Sequence, residues 1–337
     1  MDNAGIEIVI MTRNRPKMLS EAMGAIDKLK FEGKVKKWVS DNSVDSNTHP
    51  VIPLKWQYKA RGGGLSIFSH VNQIISELTM EWALITHDDD VILQELAKLY
   101  NNHYFSKSIS AISGLSKIIG PDKLPKQDLG YLKRLDSCQI SQKILYPAEQ
   151  ILCRQLFGGS IFPMSACVIR TEVLKTLFPI DESMSHAGDF YIGLMICNVK
   201  KYPYVVFEGT KPVMEYHLHG DNDSGLKSMK TRMHAESLIT IFQVIAKRPE
   251  LWKVRFSPRI IFYILRANYY ANKDEELKTL ENLKNEISKI EFFPLKYKFL
   301  KKLLVLNARW YFWIIPFSKV YNVLYWKLKA LQFSKKL

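Results

Sequence analysis

The chain has 337 residues and a mass of 39.1 kDa, with 47% hydrophobic and 24% charged residues. That composition excludes intrinsic disorder, a collagen-like chain and a disulfide-dense mini-protein, and the length predicts one large domain with an appendage. The net charge of +15 is unevenly placed: residues 1–225 hold 25 Lys/Arg and 25 Asp/Glu, residues 226–337 hold 23 and 8. A neutral body thus carries a basic C-terminal part, and that part should meet something anionic.

Four cysteines, at 138, 153, 167 and 197, show no zinc-type spacing; free thiols in a reducing compartment are expected. The opening MDNAGIEIVIMTRNR has no basic stretch before its short apolar run, so no signal peptide is expected. No apolar run reaches the roughly 18 residues of a spanning helix.

In chain order, Ile6–Met11 reads as a buried parallel strand and ends in the polar turn Thr12–Pro16. Met18, Leu19, Ala22, Met23 and Ile26 then share one helix face. Val35–Val39 is a second strand, closing into Ser40-Asp41-Asn42-Ser43, and Leu54–Tyr58 is a third. Arg61-Gly62-Gly63-Gly64 precedes a helix through Phe68, Val71, Ile74, Ile75 and Leu78. A fourth strand, Trp82–Thr86, runs directly into His87-Asp88-Asp89-Asp90. This alternation predicts a doubly wound, mostly parallel α/β sheet flanked by helices. Residues 119–157 read as a long excursion over one edge. Strands are expected at Ala166–Arg170, Tyr204–Phe207 and Val213–His219, with helices near Thr171–Leu177 and after His186-Ala187-Gly188-Asp189. From about residue 226 the pattern is helical and basic to the end.

In doubly wound sheets ligands bind beyond the carboxyl ends of the strands. Thr12-Arg13-Asn14, Asp41 and Asp88–Asp90 all fall there. Three adjacent carboxylates repel one another, a cost that a hard divalent cation such as Mg2+ or Mn2+ removes; an acidic surface turn is the alternative. Asp189 opens a helix, so it reads either as an N-cap or as a base. His217 and His219, two apart on an extended segment, share a face and suit a metal or phosphate, or are plain loop residues. The glycine triplet suits either a phosphate cradle or a flexible turn, and Arg61 either a nucleotide or a surface carboxylate.

The order of these motifs resembles the family 2 glycosyltransferases of GT-A (Rossmann-like) fold, over about residues 6–225. The matching elements are Thr-Arg-Asn-Arg-Pro, Ser-Asp-Asn-Ser, the glycine-rich segment, Asp-Asp-Asp, Gly158-Gly159-Ser160, the late aspartate and the histidines. The resemblance implies sugar transfer, with inversion, from a nucleotide-diphosphate donor, UDP- or dTDP-linked. It implies that Thr12 and Arg13 border the nucleotide and that Asp41 bonds the base. Arg61, Asn72, Asp88 and Asp89 would line the donor. The metal would be held by Asp90 with Asp88, and approached by His219 or His217. Asp189 would be the catalytic base, although Gly188 stands where the family carries Glu. The glycine-rich form followed by Asp-Asp-Asp also looks like galactofuranosyl- and rhamnosyltransferases. The acceptor would be a glycan or lipid-linked glycan of a bacterial surface polysaccharide, such as lipopolysaccharide.

The last 37 residues hold eight Lys/Arg, no Asp/Glu, and Trp310, Trp313 and Trp326. That mixture suits an anionic membrane surface, so the expected location is cytoplasmic and peripheral on the inner face of the membrane. A helical cap with an aromatic core, or single-stranded nucleic acid, also fits it; no nucleic-acid motif accompanies it, and no nucleic-acid partner is expected. Two further readings are a sugar-nucleotide-forming nucleotidyltransferase and a nucleic-acid-binding protein. The first wants a glycine-rich loop after strand one, where this chain has Thr-Arg-Asn-Arg-Pro. The second leaves Asp88–Asp90 unexplained.

Overall fold

The computed structural model describes residues 5–44, 51–120, 125–126, 144–158, 161–180, 182 and 188–218, with positions 236, 237, 240 and 244. The chain divides into two compact units, Met1–Asn222 and Asp223–Leu337. The basic helices expected after residue 226 lie almost wholly outside the described residues.

The first unit is built on a ten-stranded sheet. Its strands are β1 (Gly5–Thr12), β2 (Lys34–Asp41), β3 (Gln57–Ala60), β4 (Trp82–His87), β5 (Asp90–Ile92), β6 (Ile109–Ile119), β7 (Pro125–Lys126), β8 (Leu145–Pro147), β9 (Val168–Arg170) and β10 (Tyr204–His217). The order is β3-β2-β1-β4-β9-β6-β10-β5, with β7 on β6 and β8 on β10. The long ladders β1–β2, β1–β4, β2–β3 and β6–β10 are parallel, and short antiparallel pairings complete the sheet. The mixed, mostly parallel α/β architecture is the one the sequence predicts.

Helices α1 (Pro16–Ile26), α2 (Ile67–Glu77), α3 (Gln94–His103), α4 (Ala148–Gly158), α5 (Thr171–Thr176) and α6 (Gly188–Ile196) cover the two faces. Side chains alternate across a strand. Ile6, Ile8, Ile10, Trp82 and Leu84 therefore pack with Leu19, Met23 and Ile26 of α1 and with Leu96 and Tyr100 of α3. Ala83, Ile85 and Ile169 face the other way, against Val71 and Ile75 of α2, Leu174 of α5 and Ile192 of α6. Pro16 opens α1 at a position where its missing N–H costs nothing. Ser66 caps α2 by accepting from the Ser69 N–H.

Three expectations are corrected. The third strand begins at Gln57 rather than Leu54, because Leu54 is fully exposed and the Trp56 N–H closes a turn onto the Pro53 carbonyl. The last two expected strands are one strand, β10, whose register shifts between Glu208 and Pro212. The excursion at 119–157 ends in regular structure, β8 and α4.

At the other end of the sheet from the strand-end motifs, Glu7 is fully buried. Its carboxylate accepts from Trp38 Nε1 (2.7 Å), Thr79 N (2.7 Å) and Met80 N (3.2 Å), and pairs with Lys36 Nζ at 2.8 Å. Burial alone would raise the carboxyl, but Lys36 and the two backbone donors together hold it below 4.5. A lowered native value adds stability that is complete above pH 4.5 and is lost as pH falls through the native value. Glu7→Gln, which leaves Lys36 unpaired against a buried amide, is expected to cost roughly 3 kcal/mol. Melts at pH 7 and pH 4 should show the gap between variant and parent narrowing in acid; equal melting at pH 7 would contradict this reading.

Candidate active site

The register of the parallel strands gathers the reactive side chains. Thr12 lies opposite Asp41 on β2, and Met11 lies opposite His87 on β4. The carboxyl ends of β1, β2 and β4 therefore form one edge, as the sheet rule requires. The Thr12 hydroxyl donates to Asp88 Oδ2 at 2.6 Å. Arg15, from the turn before α1, donates to Asp88 Oδ1 at 3.4 Å and to Asp89 Oδ2 at 2.9 Å. Asp88 is buried, and that burial pushes its carboxyl up against the opposing pull of Thr12 and Arg15. The Arg15 guanidinium is held charged by the two carboxylates in spite of its own partial burial.

Next to this lies the Asp41 corner. Its carboxylate accepts from the Ser43 N–H (2.8 Å), the Ser43 hydroxyl and the Tyr58 hydroxyl (2.7 Å). Asn14, in the left-handed region at φ 57°, donates its N–H to Ser43 Oγ. The Asn42 side chain bonds both backbone groups of Leu65 and so fixes the segment after the glycines. Gly62, Gly63 and Gly64 all have φ near +77°, and a Cβ on Gly63 would stand 2.9 Å from the Val44 backbone. Glycine is required there by conformation and by close approach.

The third part of the edge is where the carboxylates crowd. One ring nitrogen of His87, one oxygen of Asp89 and one of Asp90 lie within 4.8 Å of one another. Asp90 is 3% exposed and its Oδ1 has no hydrogen-bond partner, nor has the buried His87 Nε2. Burial pushes the Asp90 carboxyl up to about 7; Asp89 and Asp189 add to the rise, while His87 and a Ser165 hydrogen bond oppose it. Ser165 Oγ, from the 3-10 turn Met164–Ala166, lies 3.2 Å from His87 Nδ1. Asp189 stands in the first turn of α6. Solvent reaches it, yet protein crowds its other sides, and that desolvation raises its carboxyl against the pull of His87 and of the Met164 backbone. A buried carboxylate oxygen with no partner, beside an imidazole and a second carboxylate, is a donor set that fits a divalent cation.

Of the residues singled out from sequence, Thr12, Asp88, Asp89, Asp90 and Asp189 come together, with Asp41 alongside. In this cluster Asp89, rather than Asp88, joins Asp90 and His87; Asp88 turns to Thr12 and Arg15. Arg13 is exposed. Arg61 makes a two-pronged ion pair with Glu77 (2.6 and 3.1 Å) and donates to Ser40 Oγ, which is its surface-carboxylate reading. Asn72 spends its amide on the backbone of Ile180, donating to the carbonyl and accepting from the N–H at 2.9 Å each. Tyr216 pairs with Asp90 across β10 and β5, which brings His217 to the same edge, where it faces Glu215 at 3.6 Å. His219 lies outside the described residues.

Sequence reasoning passed over Arg15, His87 and Ser165. His87 could have been found, since it abuts the triplet at a strand end. Ser165 carried no such signal, because only the packing of the 3-10 turn on β4 places it. Gly188 is accounted for by its neighbour: a Cβ there would stand 2.1 Å from the buried Phe68 ring.

A sheet edge of this topology carrying this cluster defines the GT-A type of α/β fold. Similar chains occur among solved structures. TarS from S. aureus superimposes with a TM-score of 0.50 at 13% identity, over 84% of this chain and 49% of that one, so the chain spans about half the length of that protein. TarS 1–349 in complex with UDP-GlcNAc gives 0.47 at 12% identity, over 87% and 77% of the two chains. The mannosyltransferase PcManGT from Pyrobaculum calidifontis, in complex with GDP-Man and Mn2+, gives 0.49 at 13% identity, over 89% and 84%. No family model and no curated protein matches the sequence.

Proposed function

We propose that the chain is an inverting, metal-dependent family 2 glycosyltransferase that moves a sugar from a UDP- or dTDP-linked donor to a glycan or lipid-linked glycan of a surface polysaccharide. The observation that carries this reading is the pairing of two unlike carboxylates at one sheet edge. Asp90 is buried with an unpartnered oxygen, and Asp189 beside it is open to solvent. Thr12 and Asp41 border the nucleotide, and Asp88 lies toward its ribose. Arg15 supplies positive charge beside the diphosphate. Asp90 and Asp89 would hold a Mg2+ or Mn2+, with His217 or His219 as the histidine that approaches it, and the ion would supply charge stabilisation for the departing diphosphate.

Asp189 takes the proton of the acceptor hydroxyl, a role favoured by its raised carboxyl. The acceptor oxygen bonds to the anomeric carbon as the bond to the diphosphate oxygen breaks, and the nucleoside diphosphate leaves with that electron pair. One displacement inverts the configuration. A donor-hydrolysis screen over nucleotide sugars with Mn2+ tests the reading. One UDP- or dTDP-sugar should be cleaved faster than the rest and EDTA should stop it; cleavage of none would overturn it.

The C-terminal region enters the proposal through charge alone. No helix among the described residues is long and apolar enough to cross a membrane. Residues 301–337 carry eight Lys/Arg and no Asp/Glu, and each basic residue near an anionic surface contributes about 1 kcal/mol. Trp310, Trp313 and Trp326 add anchoring at headgroup level. Full-length protein is expected to sediment with anionic vesicles, less so as salt rises, and a chain ending near residue 295 should stay in solution. Equal sedimentation with neutral vesicles would assign these aromatics to a core instead.

A further inference from the structure

We propose that His87 is a nitrogen ligand of the divalent cation, and that this imidazole makes the site prefer Mn2+ to Mg2+. The inference rests on the metal-dependent reading above and adds a ligand that neither the carboxylate triplet nor the C-terminal histidines supply.

Four observations support it. His87 is the last residue of β4, so the strand that delivers Asp88–Asp90 delivers the imidazole too. A ring nitrogen of His87 lies within 4.8 Å of oxygens of both Asp89 and Asp90. Two buried atoms without hydrogen bonds, His87 Nε2 and Asp90 Oδ1, belong to residues of that group, and a buried polar atom without a partner costs about 1–3 kcal/mol. A cation removes that cost for whichever atom it binds. Finally, Ser165 Oγ stands 3.2 Å from Nδ1. A hydrogen bond of this kind holds the ring in place beside the carboxylates, as outer partners of ligating histidines do. Nδ1 also stands 3.8 Å from Asp90 Oδ2, so the ring lies edge-on to the carboxylate it would share a cation with. The same serine also hydrogen-bonds Asp90, so one hydroxyl orients two ligands.

The chemistry of the donor set then decides the ion. A site of oxygens alone suits Mg2+, which dehydrates reluctantly and keeps oxygen ligands. An imidazole shifts preference toward first-row transition ions, of which Mn2+ is the hardest and the one that tolerates two carboxylates beside it. Ser165 is a positioning residue in this scheme, acting through His87 and Asp90.

The test is electron spin-echo spectroscopy of Mn2+ bound to the full chain, in nitrogen-free buffer, with inorganic diphosphate as a nitrogen-free stand-in for the nucleotide. Wild type should show 14N modulation that converts to the 15N pattern when only histidine is labelled. The modulation should persist in His217→Gln and His219→Gln and vanish in His87→Gln and His87→Asp, the latter retaining Mn2+ through oxygen. Because the labelling result comes from wild type, a variant that fails to fold does not spoil the test. Competition should show Mn2+ bound at least roughly tenfold more tightly than Mg2+, with the ratio collapsing in His87→Asp. Ser165→Ala should weaken Mn2+ binding by about tenfold or more while keeping the nitrogen signal. Bound Mn2+ without histidine modulation, or modulation that follows His217 or His219, overturns the proposal and leaves the transferase reading standing. No Mn2+ binding at all overturns the proposal and removes the metal from that reading as well.

Discussion

Asp90→Asn is expected to leave the fold intact, remove sugar transfer and, without metal, raise the melting temperature. On the proposed reading, transition-state charge stabilisation worth several kcal/mol depends on the cation this carboxylate would hold, so the loss should be roughly a hundredfold or more. The stability gain follows from the sign of the pKa shift. Burial lifts the Asp90 carboxyl from 3.8 to about 7. A raised acid favours the folded state only while it stays protonated, and that advantage is lost as pH rises from 3.8 toward 7. Above pH 7 the folded chain carries a buried charge that the unfolded chain does not pay to desolvate. Asn has no such charge, so the variant should outlast wild type at pH 8 in EDTA, by several degrees, and match it more closely at pH 5. Saturating Mn2+ should stabilise wild type and leave the variant unmoved. A variant that turns over normally, or melts well below wild type at pH 8, would contradict the assignment.

Asp189→Asn should separate binding from chemistry. The side chain is exposed, and on the proposed reading it meets the acceptor hydroxyl rather than the nucleotide. Donor affinity is therefore expected to stay within a few-fold, while transfer falls roughly 10²- to 10⁴-fold, the range for removing a general base. Asp189 also sits in the first turn of α6, where a carboxylate stabilises the helix end by about 0.3–1 kcal/mol, so a small drop in melting temperature is compatible with the role. Calorimetric titration with the donor, beside initial rates, checks it. A large melting loss with unchanged turnover would make Asp189 a helix-end residue and nothing more.

Much of the first unit was legible because burial wrote a pattern into it. β1 is buried at all eight positions and reads as an apolar run interrupted only by Glu7 before its polar end at Thr12. Helices α1 and α2 place their buried residues at three- and four-residue spacing. β6 gave no such pattern: Ser110 and Ser113 are buried within it because their hydroxyls donate to the Tyr204 and Ala166 carbonyls. Their partners lie 94 and 53 residues away, beyond any local rule. The site divides in the same way. Carboxylates at strand ends were visible because the sheet topology says where strand ends meet. Arg15 was not preferred over Arg13, since only the entry angle of α1 decides which guanidinium turns back to Asp88. Arg61 and Asn72 looked like donor contacts, yet their partners, Glu77 and the Ile180 backbone, are fixed by packing.

Phe68 and Gly188 have a consequence for how this site can change. The ring fills the volume that a Cβ at 188 would need, so an acidic side chain cannot be placed beside Asp189 by one substitution. It would first displace a buried aromatic from α2 and pull α6, with its aspartate, out of line. Shrinking residue 68 alone would leave a void behind the same helix end. Each single step descends before the pair of steps recovers, a two-site dependence that makes the outcomes non-additive. Directed evolution toward a second carboxylate here must therefore vary both positions in one library, because a one-residue-at-a-time search would discard the route at its first move.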